Sequence, residues 1–370
     1  MTMALEGKSD ASIKRVLIYR LGSLGDTVVA LPSLHLVARV FPNAERRLLT
    51  NFPVQTKAPP AAAILEGTGL VHGYFRYAVG TRSPGEVMSL WWQLIGWRPE
   101  VLIFLAGRRL PEAKRDRTFF RLCGIRRMIG VPLTPEMRIE RPETVAPGQQ
   151  AAALEYECKR LAENLSELGD ARLDEAASWS LSLSDAEQTR AAEALRPAAG
   201  RRIIAVSTGT KVQANDWGRD NWRALSKRLG ALYGDHALVL TGAQEDAENG
   251  EFIAAGWREG NNAEGGPVLN LCGKLSPRES ACVFQAAKIF IGHNSGPMHL
   301  AAAVQTPCVA VFSARERPRI WFPYGKRHRV LYHQVECWGC NLATCIVEKK
   351  RCIMSIGVDE VLTEVRAVLD

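Results

Sequence analysis

No stretch of this chain runs to 18 uninterrupted apolar residues, so no segment reads as a membrane-spanning helix. Met1 to Lys14 lack the apolar centre of a secretion signal. Residues 1–13 read as a short flexible lead-in, and a cytoplasmic location is the expectation. No short-period repeat is visible, and no aromatic stacking pattern or nucleic-acid motif accompanies the charged stretches, so nucleic acid is not the expected partner. Negative charge is in deficit, with 39 acidic against 47 basic residues and a net charge of +8, which favours an anionic partner without naming it. Part of that surplus is local. Between Arg108 and Arg127 eight basic residues face only Glu112 and Asp116. That run is either a solvated helix face or a surface for phosphate-bearing lipid head groups or anionic saccharide.

At 370 residues the chain exceeds one ordinary hydrophobic core, and two domains are expected. Lys14–Arg20 is a β-rich apolar run followed by a glycine turn. A helical pattern then covers Thr27–Val40, in which Pro32 either kinks the helix or marks its start. Arg46–Thr50 and Val101–Leu105 are further strands. The second half repeats this grammar, with strands at Arg202–Ser207, His236–Thr241, Val268–Leu271, Lys288–Gly292 and Cys308–Ser313. The intervening helices cover Asp220–Tyr233, a stretch opened by the capping box Ser276-Pro277-Arg278-Glu279, and Met298–Val304, and a C-terminal helix covers Val358–Leu369. Alternating strand and helix signals give an α/β class with two Rossmann-like domains and parallel sheets. The expected boundaries are 14–175 for an N-terminal domain, 176–352 for a C-terminal one and 353–370 for the closing helix, with a linker near Leu173–Trp179 in a polar region from Pro142 to Leu195. Ligands of such sheets sit at the carboxyl ends of the strands, which places the expected site in a cleft between the domains.

Several loops there carry chemistry. Gly22-Ser23-Leu24-Gly25-Asp26 lets the backbone turn tightly and sets a carboxylate at a strand-to-helix junction, either as a helix cap or as a general base. The Gly-x-Gly-x-x-Gly fingerprint of dinucleotide sites is absent from this turn, which counts against a nucleotide-dependent oxidoreductase. His293-Asn294-Ser295-Gly296-Pro297-Met298-His299 opens a helix after a strand, which is either a structural cap or a diphosphate seat with His299 adding a donor. His293 itself is open between the structural and the ligand role. Ser207-Thr208-Gly209-Thr210-Lys211 follows a buried strand and suits a phosphate. Glu245, after Thr241-Gly242, is placed to accept from ribose hydroxyls.

Of nine cysteines, Cys123, Cys158, Cys272, Cys282 and Cys308 read as reduced core residues. Cys337, Cys340, Cys345 and Cys352 have spacing compatible with a structural zinc site, with disulfides, or with plain thiols.

Taken together, these motifs resemble glycosyltransferase family 9, the lipopolysaccharide heptosyltransferases. The family's Arg-x-x-x-x-Gly-Asp and Leu-Pro stand here as Arg20, Gly25-Asp26 and Leu31-Pro32, and its C-terminal motif as Asn294-Ser295-Gly296-Pro297-Met298-His299-Leu300-Ala301-Ala302. The resemblance implies a GT-B fold and inverting transfer without a catalytic metal, in keeping with the absence of Asp-x-Asp. It implies Asp26 as base, with Gly22, Ser23 and Gly25 forming the acceptor-side loop. On the donor side it implies Ser207, Thr208, Gly209, Thr210, Lys211, Glu245, Asn294, Ser295, Gly296, Met298 and His299. The implied partners are a nucleoside-diphosphate sugar such as ADP-heptose and an anionic glycolipid or glycan, with peripheral contact at the inner membrane. Two departures stand out. Asn294 replaces the family's aspartate, and Asn215-Asp216-Trp217-Gly218 replaces its Lys-x-Trp-Pro, which leaves Lys211 assigned by proximity alone. The alternative is a catalytically impaired member that binds a nucleotide sugar or an anionic glycan.

Overall fold

A computed structural model describes residues 10–52, 59–77, 83–138, 155–261 and 265–370. The lead-in before residue 10 and the start of the polar region at Pro142 lie outside them. The chain divides into one unit of Met1–Gln149 with Glu157–Trp179 and another of Gln150–Tyr156 with Ser180–Asp370.

The first unit contains, in chain order, β1 (Arg15–Tyr19), α1 (Leu24–Val28), α2 (Leu31–Val40), β2 (Glu45–Asn51), α3 (Ala62–Leu65), β3 (Gly73–Tyr77), α4 (Pro84–Trp97), β4 (Val101–Phe104), α5 (Leu110–Leu122), β5 (Arg127–Ile129) and α6 (Glu157–Asn164). Its five strands are parallel in the order β3-β2-β1-β4-β5. Val16–Tyr19 and Val101–Phe104 are buried on both faces, as a sheet covered by helices on each side requires. The pattern over Thr27–Val40 is two helices. The first ends at Val28, and Pro32 lies in the first turn of the second, where its missing N–H costs nothing.

The second unit contains α7 (Asp185–Leu195), β6 (Ile203–Ser207), α8 (Arg219–Leu232), β7 (Ala237–Leu240), α9 (Ala247–Gly260), β8 (Val268–Asn270), α10 (Pro277–Ala286), β9 (Ile289–His293), α11 (Gly296–Ala303), β10 (Cys308–Phe312), β11 (Arg329–Tyr332), α12 (Arg351–Met354) and α13 (Val358–Leu369). Its six strands are parallel in the order β11-β10-β9-β6-β7-β8. The helix at Ser276 opens as expected. The Ser276 hydroxyl accepts from the Glu279 N–H at 3.2 Å and the Glu279 carboxylate accepts from the Ser276 N–H at 2.7 Å. The carboxyl end of the chain packs back onto this core through Ile353, Ile356, Val361 and Val365.

In both sheets the strand order reverses once, between β1 and β4 in the first and between β6 and β9 in the second. Loops leave on opposite sides at such a point and open a crevice at the carboxyl edge. The loops singled out by sequence, after β1, after β6 and after β9, all lie at these two positions.

Candidate active site

In the first unit, β1 passes into Arg20 and then Gly22, whose φ of +130° is open to glycine and strained for other residues. The Gly22 N–H donates to Asn51 Oδ1 at 2.7 Å, tying the turn to the end of β2. A second constraint makes glycine necessary. A Cβ at this position would lie 2.3 Å from Asp26 Cβ and Cγ and 2.5 Å from its Oδ2. The cap of α1 is Ser23, not Asp26. Asp26 sits three residues on and reaches back, its Oδ2 accepting from the Ser23 N–H at 2.7 Å and the Ser23 hydroxyl at 3.2 Å. Gly25 is an ordinary helical residue of α1.

Behind the turn lies a buried charge relay that sequence reading did not foresee. The Arg20 guanidinium donates to the Asp26 carbonyl at 3.0 Å, to the Leu105 carbonyl at 2.7 Å and to Glu157 Oε1 at 3.2 Å. Its Nη2 stands 3.8 Å from Asp26 Oδ1. Glu157, fully buried, is held from its other side by Arg160 through two bonds of 2.7 Å. Oδ2 of Asp26 is therefore committed to Ser23. Oδ1 faces a cation beyond hydrogen-bond range, on a side chain still 31% exposed. This carboxylate is fixed in place yet keeps one oxygen able to take a proton.

The basic run beside this half is partly structural. Buried Asp116 accepts from the Tyr19 hydroxyl at 3.0 Å, from Arg108 at 2.9 Å and from Arg115 at 2.8 and 3.0 Å. Burial, with the Asp116 charge added, raises the Tyr19 phenol well above its ordinary range.

In the second unit, Ser207 ends β6 and pairs with Gly292 of β9. Among the described residues, the buried Ser207 Oγ and Asn249 Oδ1 have no hydrogen-bond partner. Ser207 and His293 lie on the two strands flanking the crevice, and the Asn249 amide reaches Thr208 Oγ1 at 3.5 Å. Gly209 and Gly242 make room for a carboxylate. A Cβ on either would come within 2.3 and 2.8 Å of Asp246 Oδ2, which also accepts from the Ala243 N–H at 2.9 Å. Glu245 itself is exposed, so Asp246 is the carboxylate packed against the loop after β6. Thr210 folds onto Val212, its hydroxyl accepting from the Val212 N–H at 3.2 Å, and Lys211 is exposed.

His293 is structural. Its Nε2 accepts from the Trp217 N–H at 3.0 Å and from the Trp222 indole N–H at 3.1 Å. Two donors on one nitrogen require a neutral ring with its proton on Nδ1. Burial pushes its pKa down to about 4, against an opposing pull from Asp216. Beyond it, Asn294 donates to Glu316 Oε2 at 3.0 Å. Ser295 is the N-cap of α11 without a side-chain cap bond, its hydroxyl donating instead to the His293 carbonyl at 3.4 Å, and Pro297 sits in the first turn. The N–H groups of Gly296 and Met298 belong to that first turn, which the helix itself leaves without acceptors. Met298 has its side chain in the core and offers a ligand only its backbone, while His299 is buried with its ring 6.4 Å from that of Trp321. A lysine that sequence reading did not single out also enters here. Lys350 donates to the Asp216 carbonyl at 2.8 Å and to its carboxylate at 3.1 Å.

Among the described residues no group of three or more His, Cys, Asp or Glu is placed to hold a metal ion. Of the four C-terminal cysteines Cys352 is buried, Cys337 and Cys345 are half-buried and Cys340 is exposed, and burial, with the nearby Cys337 and Cys345 adding to it, raises the Cys352 thiol. The five other cysteines are buried, and burial pushes the Cys123 thiol up to about 11 and that of Cys272 to about 12. No helix among the described residues is long and apolar enough to cross a membrane.

The sequence profile of glycosyltransferase family 9 (heptosyltransferase) matches residues 148–351, more than half of the chain. Among curated proteins, lipopolysaccharide heptosyltransferase 2 of Salmonella typhimurium is 26% identical over 161 residues, which is 42% of this chain and 44% of that protein. Lipopolysaccharide heptosyltransferase 3 of Escherichia coli is 40% identical over 58 residues, 16% of this chain and 17% of that one. The chain thus aligns with less than half the length of these relatives. Solved structures match over nearly the whole chain. A family 9 glycosyl transferase from Veillonella parvula superposes with a TM-score of 0.68 at 14% identity, covering 96% of this chain and 97% of the other. The E. coli ADP-heptose lipopolysaccharide heptosyltransferase II superposes at 0.63 and 18% identity, covering 96% and 98%. Likeness at this level establishes the fold, and the two parallel-sheet units are those of the GT-B class.

Proposed function

The chain belongs to glycosyltransferase family 9, and we propose that it moves a heptose or related hexose from a nucleoside diphosphate to a lipopolysaccharide-core or other cell-surface glycan. The observation that carries this reading is the Asp26 carboxylate, clamped by Ser23 through one oxygen and open at the other. In the proposed step, Asp26 Oδ1 takes the proton of an acceptor hydroxyl as that oxygen attacks the anomeric carbon. The bond from the anomeric carbon to the diphosphate oxygen breaks, its electron pair leaves with the nucleoside diphosphate, and configuration inverts. Charge gathering on the diphosphate is met by the N–H groups at the start of α11, by its dipole, and by Lys211. The buried, unpartnered Ser207 and Asn249 groups beside the loop after β6 support a polar ligand at that edge. Asp246, with Glu245 as the exposed alternative, is the carboxylate for the donor ribose.

ADP-heptose is the first donor to test, since structural relatives carry that name or were solved with ADP. The lack of an Asp-x-Asp pair supports transfer without a catalytic metal. The acceptor is read as an anionic glycolipid at the cytoplasmic face of the inner membrane, touched peripherally. The impaired-binder alternative loses ground because a carboxylate, Glu316, still stands beside Asn294.

The test is Asp26→Asn with ADP-heptose and lipid-linked or short soluble core acceptors. An amide keeps the link to Ser23 and removes the base, so transfer should fall by about 10²–10⁴-fold with donor affinity unchanged. Full turnover by that variant would refute Asp26 as base.

A further inference from the structure

Large apolar side chains are rarely left in solvent side by side. On the first unit four of them are. Val87, Met88 and Trp92 of α4 and Leu122 of α5 are each more than half exposed, Trp92 at 61% and Leu122 at 68%. They are contiguous. Met88 and Trp92 are one helical turn apart, the rings of Trp91 and Trp92 lie 4.8 Å from centroid to centroid, and the Trp91 indole N–H donates to the Leu122 carbonyl at 3.3 Å. The buried residues of α4 are Leu90 and Leu94, which join the core on the other face, so this stripe is surplus to what the fold uses.

Basic residues flank the stripe. Lys114 and Arg121 share the exposed face of α5 with Leu122, and Arg126 follows just past its end, all three exposed. Carboxylates are few on these helices. Glu86 and Glu112 lie in their first turns, Glu112 bonded to the Arg109 N–H, and Asp116 is buried under Arg108 and Arg115. Arg121 and Arg126, with Arg117, also line a cleft of about 530 Å³ that holds Glu136, Glu163 and Glu167, while Lys114 does not line it.

We infer that α4 and α5 dock the first unit onto an anionic lipid bilayer, with Met88, Trp92 and Leu122 entering the interface and Lys114, Arg121 and Arg126 meeting lipid phosphates. Tryptophan prefers the membrane–water interface, and an amphipathic helix with a basic flank lies in its plane. Charge decides against a second copy of this chain as the occupant. A self-complementary contact would bring two copies of one net-basic face together, like charge toward like charge. The inference rests on the reading above of a lipid-linked acceptor for its purpose, while the surface is independent of the chemistry at Asp26.

The full-length protein is sedimented with phosphatidylcholine vesicles that contain or lack phosphatidylglycerol. Binding should require the anionic lipid and weaken with salt. Lys114→Gln and Arg121→Gln should each lower the partition about five-fold. Trp92→Ser with Met88→Ser should abolish it without altering the thermal midpoint, since these side chains are exposed. All variants should keep wild-type transfer to a water-soluble acceptor. Undiminished vesicle binding by the variants would overturn the inference, as would a wild-type dimer that ignores vesicles and is dissolved by the Trp92 and Met88 changes. Vesicle binding by a protein that transfers no sugar to any acceptor would instead leave this surface standing and strike the enzymatic reading alone.

Discussion

Replacing Gly22 with alanine should disable the candidate base without touching it. The residue sits at φ +130°, where a non-glycine residue costs about 1–3 kcal/mol. The added Cβ would also fall 2.3 Å from two carbons of Asp26, and overpacking of that kind costs about another 1–3 kcal/mol. Something must move. The turn is held through Asn51 and the clashing atoms are those of the Asp26 side chain, so relief must strain or break its bonds to Ser23 and displace the carboxylate. A shift of about 1 Å at a reacting group costs about 10²-fold in rate. Urea unfolding and initial transfer rates, read on the same preparation, should therefore show a loss of about 2–6 kcal/mol and a rate reduced at least about 10²-fold well below the unfolding midpoint. Gly69→Ala supplies the control. Its φ is +71°, but nothing lies within 4 Å of the added carbon, so it should lose about 1 kcal/mol of stability and no activity. A Gly22→Ala protein with wild-type stability and rate would refute the argument that this glycine exists to seat the carboxylate.

Two further outcomes follow from the second unit. His293 and His328 are both pushed down to about 4 by burial, below the unfolded value of 6.5. The unfolded chain therefore binds more protons between these values. Stability is complete above pH 6.5 and lost as pH falls toward 4, by up to about 3 kcal/mol per histidine. Denaturation midpoints measured from pH 8 to pH 4 check this, and a flat profile between 6.5 and 4 would contradict it. Asn294→Asp sets a carboxylate against Glu316, where a 3.0 Å hydrogen bond now stands. It should weaken donor binding, and adding Glu316→Gln should restore it, with a coupling of about 1–2 kcal/mol by calorimetric titration. Additive effects would separate the two residues.

What the sequence disclosed and what it hid divide along a physical line. The turns after β1, β6 and β9 were legible because glycine, small polar residues and proline at a strand-to-helix junction have few other uses, and the strand order then set those turns at the two reversal points. Local spacing failed where direction mattered. Gln244–Asp246 is a 3₁₀ turn, in which each residue rotates by about 120°, so the inward carboxylate is Asp246 and not the neighbouring Glu245. Contacts distant in sequence left no trace at all. Arg20 meets Glu157 across 137 positions, and no periodicity announces that pairing. The basic run from Arg108 to Arg127 holds a use that neither reading offered for it. Asp116 draws Arg108 and Arg115 to itself, a structural use of charge, while Lys114, Arg121 and Arg126 stay exposed on the face beside Leu122. A helix period sorts one string of basic residues into both roles, and only the packing of α5 against α4 says which residue takes which.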